Sequence, residues 1–142
     1  MKYHFKIHKE KSGYWAECVE LEGCQTEADS LIELYSNMEE VLNVYLSEPE
    51  SSKIIFPLPQ KKQSNSEDFV AVSVDPSVAF SFLLRRYRLQ KKITLKEMAE
   101  KLKMKNLNTY VKLEKASSSN PELRTLAKIK SILSDFPINM IF

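Results

Sequence analysis

At 142 residues, with 43% hydrophobic and 28% charged side chains, the chain has the make-up of one medium or two small globular domains and not of a disordered polymer. Its net charge of +2 conceals a division: residues 1–52 hold 4 Lys/Arg against 11 Asp/Glu, residues 53–76 balance, and residues 77–142 hold 14 Lys/Arg against 5 Asp/Glu. No apolar run approaches the ~20 residues of a membrane span, two cysteines are too few for a disulfide scaffold, and the N-terminus lacks the uncharged core of a signal peptide, so a cytoplasmic protein with no membrane partner is expected.

In chain order, Tyr3, Phe5 and Ile7 alternate with Lys2, His4, Lys6 and His8, a period of two that predicts a strand over 2–9. Lys11–Gly13 forms a turn and 14–19 a second strand, so the chain opens as a hairpin. A short third strand is expected around Cys24–Thr26, with Gly23 in the turn before it. Ser30 followed by Glu33 is a capping box. After it Leu31, Leu34, Tyr35, Met38, Val41, Leu42, Tyr45 and Leu46 form one apolar helical stripe, and Pro49 closes the helix. Ile54–Phe56 reads as a short extended piece, Pro57–Asp68 as a polar loop open to proteolysis over Lys61–Asp68, and Phe69–Val74 as a final strand. Asp75–Pro76 marks a boundary, beyond which the periods turn helical: Val78–Lys91, Thr94–Leu102 with Thr94 and Glu97 as a second capping box, Asn106–Lys115, and Glu122–Leu133. The closing Ile138–Phe142 is too apolar to hang free and is expected to pack or pair.

The split of charge predicts two partners. A basic half suits a polyanion, and an acidic half repels nucleic acid and attracts a basic protein. Catalysis finds no support: the first strand carries no acid where a two-metal nuclease would need one, and Glu17 stands alone on the second. His4 and His8 share a strand face, but Cys18 and Cys24 are spaced C-x5-C, which is not a zinc pair, and nothing marks an oxyanion site for a Cys–His nucleophile. No catalytic residue, metal or cofactor is expected. In the basic half, two short helices joined by a tight turn fit either a helix-turn-helix or an ordinary helical bundle with a solvated basic face. On the first reading Asn106, Asn108, Thr109 and Lys112 face bases and phosphates, with Lys96, Lys105 and Lys115 as flanking cations.

The run "ITLKEMAEKL…NTYVKLEKASSSNPELRTLAKIKSIL" resembles the Cro/repressor-like helix-turn-helix family, with Thr94, Glu97, Met98, Ala99, Leu102, Leu113, Glu114, Asn120, Pro121, Leu126 and Ile129 at its repeating positions. It departs from that pattern at Leu95, where Gln is usual, at Lys103, where Gly is usual, and in one extra residue before Tyr110. The N-terminal stretch "SGYWAECVELEGCQTEADSLIELYSNMEEVLNVYL" is similar to the HicB family of antitoxins. The Tyr14–Trp15 pair, Leu21–Cys24, Ser30–Asn37 and Pro57-x-Pro59 carry that likeness, and Ala28 replaces the family's usual Gly.

The resemblance implies an α+β chain. Residues 1–76 would be a degenerate ribonuclease H-like β-β-β-α-β domain that binds a toxin, and residues 77–142 an all-α helix-turn-helix domain that binds DNA. The partner it implies is a basic, HicA-like mRNA-cleaving ribonuclease toxin, met by an acidic face of Trp15, Glu17, Glu20, Glu22, Glu39 and Glu40. It also implies a homodimer or higher homo-oligomer that represses its own operon at a palindromic operator. The alternative is a stand-alone helix-turn-helix regulator whose N-terminal domain senses a ligand or protein.

Overall fold

A computed structural model of the chain describes residues 1–47, 52–61 and 67–142. The chain is α+β and forms two compact units. Met1–Leu46 and Phe56–Asp75 make the first; Ser47–Ile55 and Pro76–Phe142 make the second. Of the described residues, Ser47 and Ser52–Ile55 thus fall with the second unit, although they lie on the N-terminal side of the Asp75–Pro76 boundary.

Unit 1 is a four-stranded antiparallel sheet with one helix on it. The strands are β1 (Lys2–Glu10), β2 (Gly13–Cys18), β3 (Gln25–Ala28) and β4 (Phe69–Ser73), in the order β3-β2-β1-β4. A two-residue turn at Lys11–Ser12 joins β1 to β2 and sets their register, Glu10 opposite Gly13 and His8 opposite Trp15. Alternation puts Tyr3, Phe5, Ala16, Cys18 and Val72 on one face, all buried. Helix α1 (Leu31–Leu46) covers that face with Leu34, Met38, Leu42 and Leu46, spaced four apart. Ser30 caps α1, accepting from the Glu33 amide at 3.2 Å. Of the rest of the expected stripe, Val41 and Tyr45 are half-buried, whereas Leu31 and Tyr35 are 42% and 45% exposed. Ile54–Phe56 forms no strand. Instead the Phe56 ring lies 4.9 Å from that of Tyr45, and Tyr3 Oη donates to the Pro57 carbonyl at 2.8 Å, so the chain is held by side chains and not by a ladder. Pro49 and residues 62–66 of the polar loop lie outside the described residues.

Unit 2 is helical: α2 (Pro76–Gln90), α3 (Leu95–Lys101), α4 (Leu107–Glu114) and α5 (Leu123–Ile132), with single 3-10 turns at Ala116–Ser118 and Ile138–Met140. Helix α2 is buried from Val78 to Arg85 and again at Arg88, and it packs against α4 and the Ala116–Ser118 turn. Met98, Ala99, Leu102, Tyr110, Leu113, Ile129, Leu133, Phe136 and Ile141 supply the rest of the core. Phe136 stands edge-on to Phe80 and Tyr87 at 6.0 and 5.9 Å. The apolar tail packs in part: Ile141 is buried and Phe142 is 85% exposed. Among the described residues no helix is long and apolar enough to cross a membrane.

Candidate functional site

In unit 1, α1 covers one face of the sheet and leaves the other open. Strand alternation and register place Lys2, His4, Lys6, His8 and Glu10 of β1 on the open face. With them stand Trp15 and Glu17 of β2, Gln25 and Glu27 of β3, and Phe69 of β4. One row runs His8, Trp15, Glu27; the next runs Phe69, Lys6, Glu17, Gln25. The His8 imidazole and the Trp15 indole stack at 4.0 Å and 13°. Glu17, 45% exposed, reaches His8 Nε2 at 3.3 Å. Lys6 leans the other way, its Nζ 5.9 Å from the centre of the Phe69 ring.

The six acidic-face candidates do not form one surface. Trp15 and Glu17 lie on the open face and Glu22 is exposed in the loop before Cys24. Glu39 and Glu40 are exposed on α1, which packs on the opposite side of the sheet. Glu20 corrects the sequence reading outright, for its side chain is only 1% exposed. Its carboxylate accepts from the His4 amide at 3.0 Å and the Gln60 amide at 3.3 Å, and pairs with His4 Nδ1 at 2.6 Å. A carboxylate turned inward and bonded on both oxygens fastens the loop after β2 and is not displayed to a partner. Beside it, Cys18 and Cys24 are free and buried. The adjacent Cys24 thiol, with burial, pushes the Cys18 thiol up, away from reactivity. Among the described residues no three His, Cys, Asp or Glu side chains converge where a metal ion could be held.

In unit 2 the seven DNA-contact candidates, Lys96, Lys105, Asn106, Asn108, Thr109, Lys112 and Lys115, are all exposed. All but Lys96 lie on α4 or next to its two ends, and Lys96 stands in the first turn of α3. Asn108 and Lys112, four apart, share the outward face of α4, while Tyr110, Leu113 and Glu114 face inward. Asn106 and Thr109 are used differently from expectation. Asn106 is the N-cap of α4, and its Oδ1 accepts from the Thr109 amide at 2.9 Å and from the Thr109 hydroxyl at 3.0 Å. A side-chain amide bonded through its oxygen cannot offer both atoms to a further partner at once, so Asn106 and Thr109 build the helix start, whereas Asn108 is exposed on the outward face.

The seat of α4 is a buried polar cluster that residue spacing does not show. Arg88 of α2 grips Glu114 of α4 through Nε and, at 3.0 Å, through Nη2, and its Nη1 donates to the Ile93 carbonyl at 2.9 Å. The Tyr110 hydroxyl donates to the same carboxylate. Burial lowers the Arg88 affinity for its proton, but the bonds to Glu114 outweigh it and the net shift is upward. Burial first and the Glu114 carboxylate second push the Tyr110 phenol well up. This bidentate, fully bonded ion pair fixes the rotation of α4 about its own axis relative to α2.

Helix α3 is positioned by the capping box seen in the sequence: Thr94 Oγ1 accepts from the Glu97 amide at 3.1 Å and Glu97 Oε2 from the Thr94 amide at 2.9 Å. Its end is a left-handed Lys103, φ 55°, with the Lys103 amide bonded to the Glu100 carbonyl and the Met104 amide to that of Ala99. A scan against protein-family models gives no match to this chain, and a search of curated proteins gives none.

Proposed function

We propose that the chain is an antitoxin of the HicB kind: unit 1 caps a small basic HicA-like ribonuclease, and unit 2 is a Cro/repressor-like helix-turn-helix domain that represses the chain's own operon. The observation that carries the proposal is the separation of exposed charge between two compact units. Unit 1 displays Glu17 beside the Trp15 aromatic surface, Glu22 in the loop before Cys24, and Glu39 and Glu40 on α1. Unit 2 displays Asn108 and Lys112 on an outward helix face, with Lys96, Lys105 and Lys115 around it. An acidic protein surface suits a toxin built to hold RNA, and a polar, cationic helix face suits a major groove. The β-β-β-α-β element order of unit 1 is the one the resemblance implies, with β4 running antiparallel to β1 where a ribonuclease H-like sheet has it parallel.

Operator binding by such a unit needs a two-fold dimer. An apolar hollow of about 270 Å³ in unit 2, lined by Phe80, Pro121, Leu126 and Ile141 with Leu123 and Phe142 exposed at its edge, supports self-association there. Changing Leu123→Ser together with Phe142→Ser is expected to reduce the dimer mass in light scattering to that of a monomer; an unchanged mass removes this surface from the dimer.

The direct test is co-purification of the full chain with the product of the small neighbouring reading frame, and of the full chain with the duplex upstream of its gene. Both complexes are expected. A chain that shifts the DNA but takes up no neighbouring protein is instead a stand-alone regulator, with its N-terminal unit a sensor.

A further inference from the structure

The open sheet face of unit 1 holds a hollow beside Trp15 whose other lining residues, Glu10, Gln25 and Glu27, are not among the sequence candidates. One face of the Trp15 indole is closed by His8. The indole also borders an open hollow of about 560 Å³ whose other lining residues include Glu10, Gln25 and Glu27. Glu10, Gln25 and Glu27 are exposed, and Glu17 stands in the next row. Gly13, two residues before Trp15 on the same face, presents no side chain there; a Cβ at Gly13 would meet the Ala28 carbonyl oxygen at 2.7 Å. Lys6, in the next row, leans toward Phe69.

We infer that this hollow receives an arginine side chain of a basic protein partner, its guanidinium lying on Trp15 and paired to Glu27 and Glu10. The inference rests on the reading of unit 1 as the binder of a basic protein, and it names the surface and the group recognised. The charge complementarity is local: the two acids Glu10 and Glu27 line the hollow with the indole, so a polyanion is repelled. A planar guanidinium can stack on the indole and bond a carboxylate through two nitrogens at once, whereas a lysine ammonium can do only one of these well. Glu39 and Glu40, on the far side of the sheet, take no part.

Trp15 is the single tryptophan of the chain, so its emission reports this site alone. The full chain is titrated with a short Arg–Gly repeat peptide and, separately, with its Lys–Gly counterpart. Binding is read both as Trp15 emission and as anisotropy of the labelled peptide. A saturable change in emission with the arginine peptide is expected, with an affinity about fivefold or more above that of the lysine peptide. Glu10→Gln with Glu27→Gln is expected to weaken binding about tenfold or more, and Glu39→Gln with Glu40→Gln to leave it within about twofold. Emission that stays constant while the anisotropy saturates overturns the inference, as does equal weakening by both pairs of substitutions. The two readings fail separately. If the neighbouring reading frame is neutralised equally well by Trp15→Phe and by the Glu10/Glu27 variant, the surface is wrong and the antitoxin reading stands. If the peptide binds at Trp15 but no neighbouring protein is bound, the surface stands and the antitoxin reading falls.

Discussion

Glu114 is a carboxylate with its side chain at 0% exposure, held by an arginine on another helix and a tyrosine on its own. Removing one partner from such a cluster leaves the others buried and unpaired, so Glu114→Ala is expected to destabilise unit 2 by about 3–5 kcal/mol. Tyr110→Phe, which removes only a hydroxyl bonded to a charged acceptor, should cost about 1.5–3 kcal/mol. Denaturant unfolding measures both; a change under half a kcal/mol, on the order of ordinary surface substitutions, would contradict the role given to the cluster. The same cluster sets a pH dependence. The Tyr110 phenol is raised in the folded state, so its contribution is fully present below the unfolded value near 10 and is lost as pH rises above it. The native chain should therefore lose stability above about pH 10 more steeply than Tyr110→Phe, as thermal melts across that range would show. Glu114 and Tyr110 stand at i and i+4 in "TYVKLE", but the Arg88 partner is remote in sequence, and an arginine inside an apolar helix reads equally as a solvated charge. Glu20 was misread for the same reason. Its burial depends on His4 and Gln60 reaching it from separate parts of the chain, which no local pattern encodes.

Helices α2 and α3 end alike. Lys92 and Lys103 hold left-handed φ values of 56° and 55°, and the amide after each bonds back to the fifth residue before it, Ile93 to Arg88 and Met104 to Ala99. That conformation costs a side chain about 1–2 kcal/mol and costs glycine nothing. After allowing for glycine's greater freedom in the unfolded chain, Lys103→Gly should stabilise by about 0.5–1 kcal/mol in chemical denaturation. A loss of stability would mean that the lysine side chain contributes to the fold. Gly13 is the reverse case: with φ 144° and a backbone oxygen 2.7 Å from any Cβ, Gly13→Ala should cost about 1–3 kcal/mol and loosen the β2–β3 pairing, visible as faster amide exchange on β3. The elements themselves were legible because each carries a local signal: period two in β1, capping boxes at Ser30 and Thr94, β-branched alternation in β4. The 3-10 turn at Ala116–Ser118 was missed because a three-residue turn has no period. Asn106 was assigned to DNA because an asparagine at a helix start serves as cap and as base reader with the same atoms, and only geometry separates the two uses.

Over the whole molecule the sequence is divided as the surfaces are. The acids of residues 1–52 are mostly displayed on a sheet-and-helix unit, and Lys112 and Lys115 stand exposed on α4 and at its end. The charge split was visible by counting. The distribution of the acids over two opposite sides of the sheet was not, because it depends on register and on which face α1 covers. For the DNA half, Lys112→Ala should weaken binding to the upstream duplex and lower the slope of log affinity against log salt by about 1. An unchanged slope would take Lys112 off the phosphate backbone. The central claim is that the two units do separate work, and growth measures it most directly. The neighbouring reading frame is expressed alone, with the full chain, and with the full chain carrying Asn108→Ala and Lys112→Ala. Arrest in the first culture and equal rescue in the other two is the predicted result, since capping a toxin needs no DNA contact. A harmless neighbour, or arrest that the full chain does not relieve, would contradict the account.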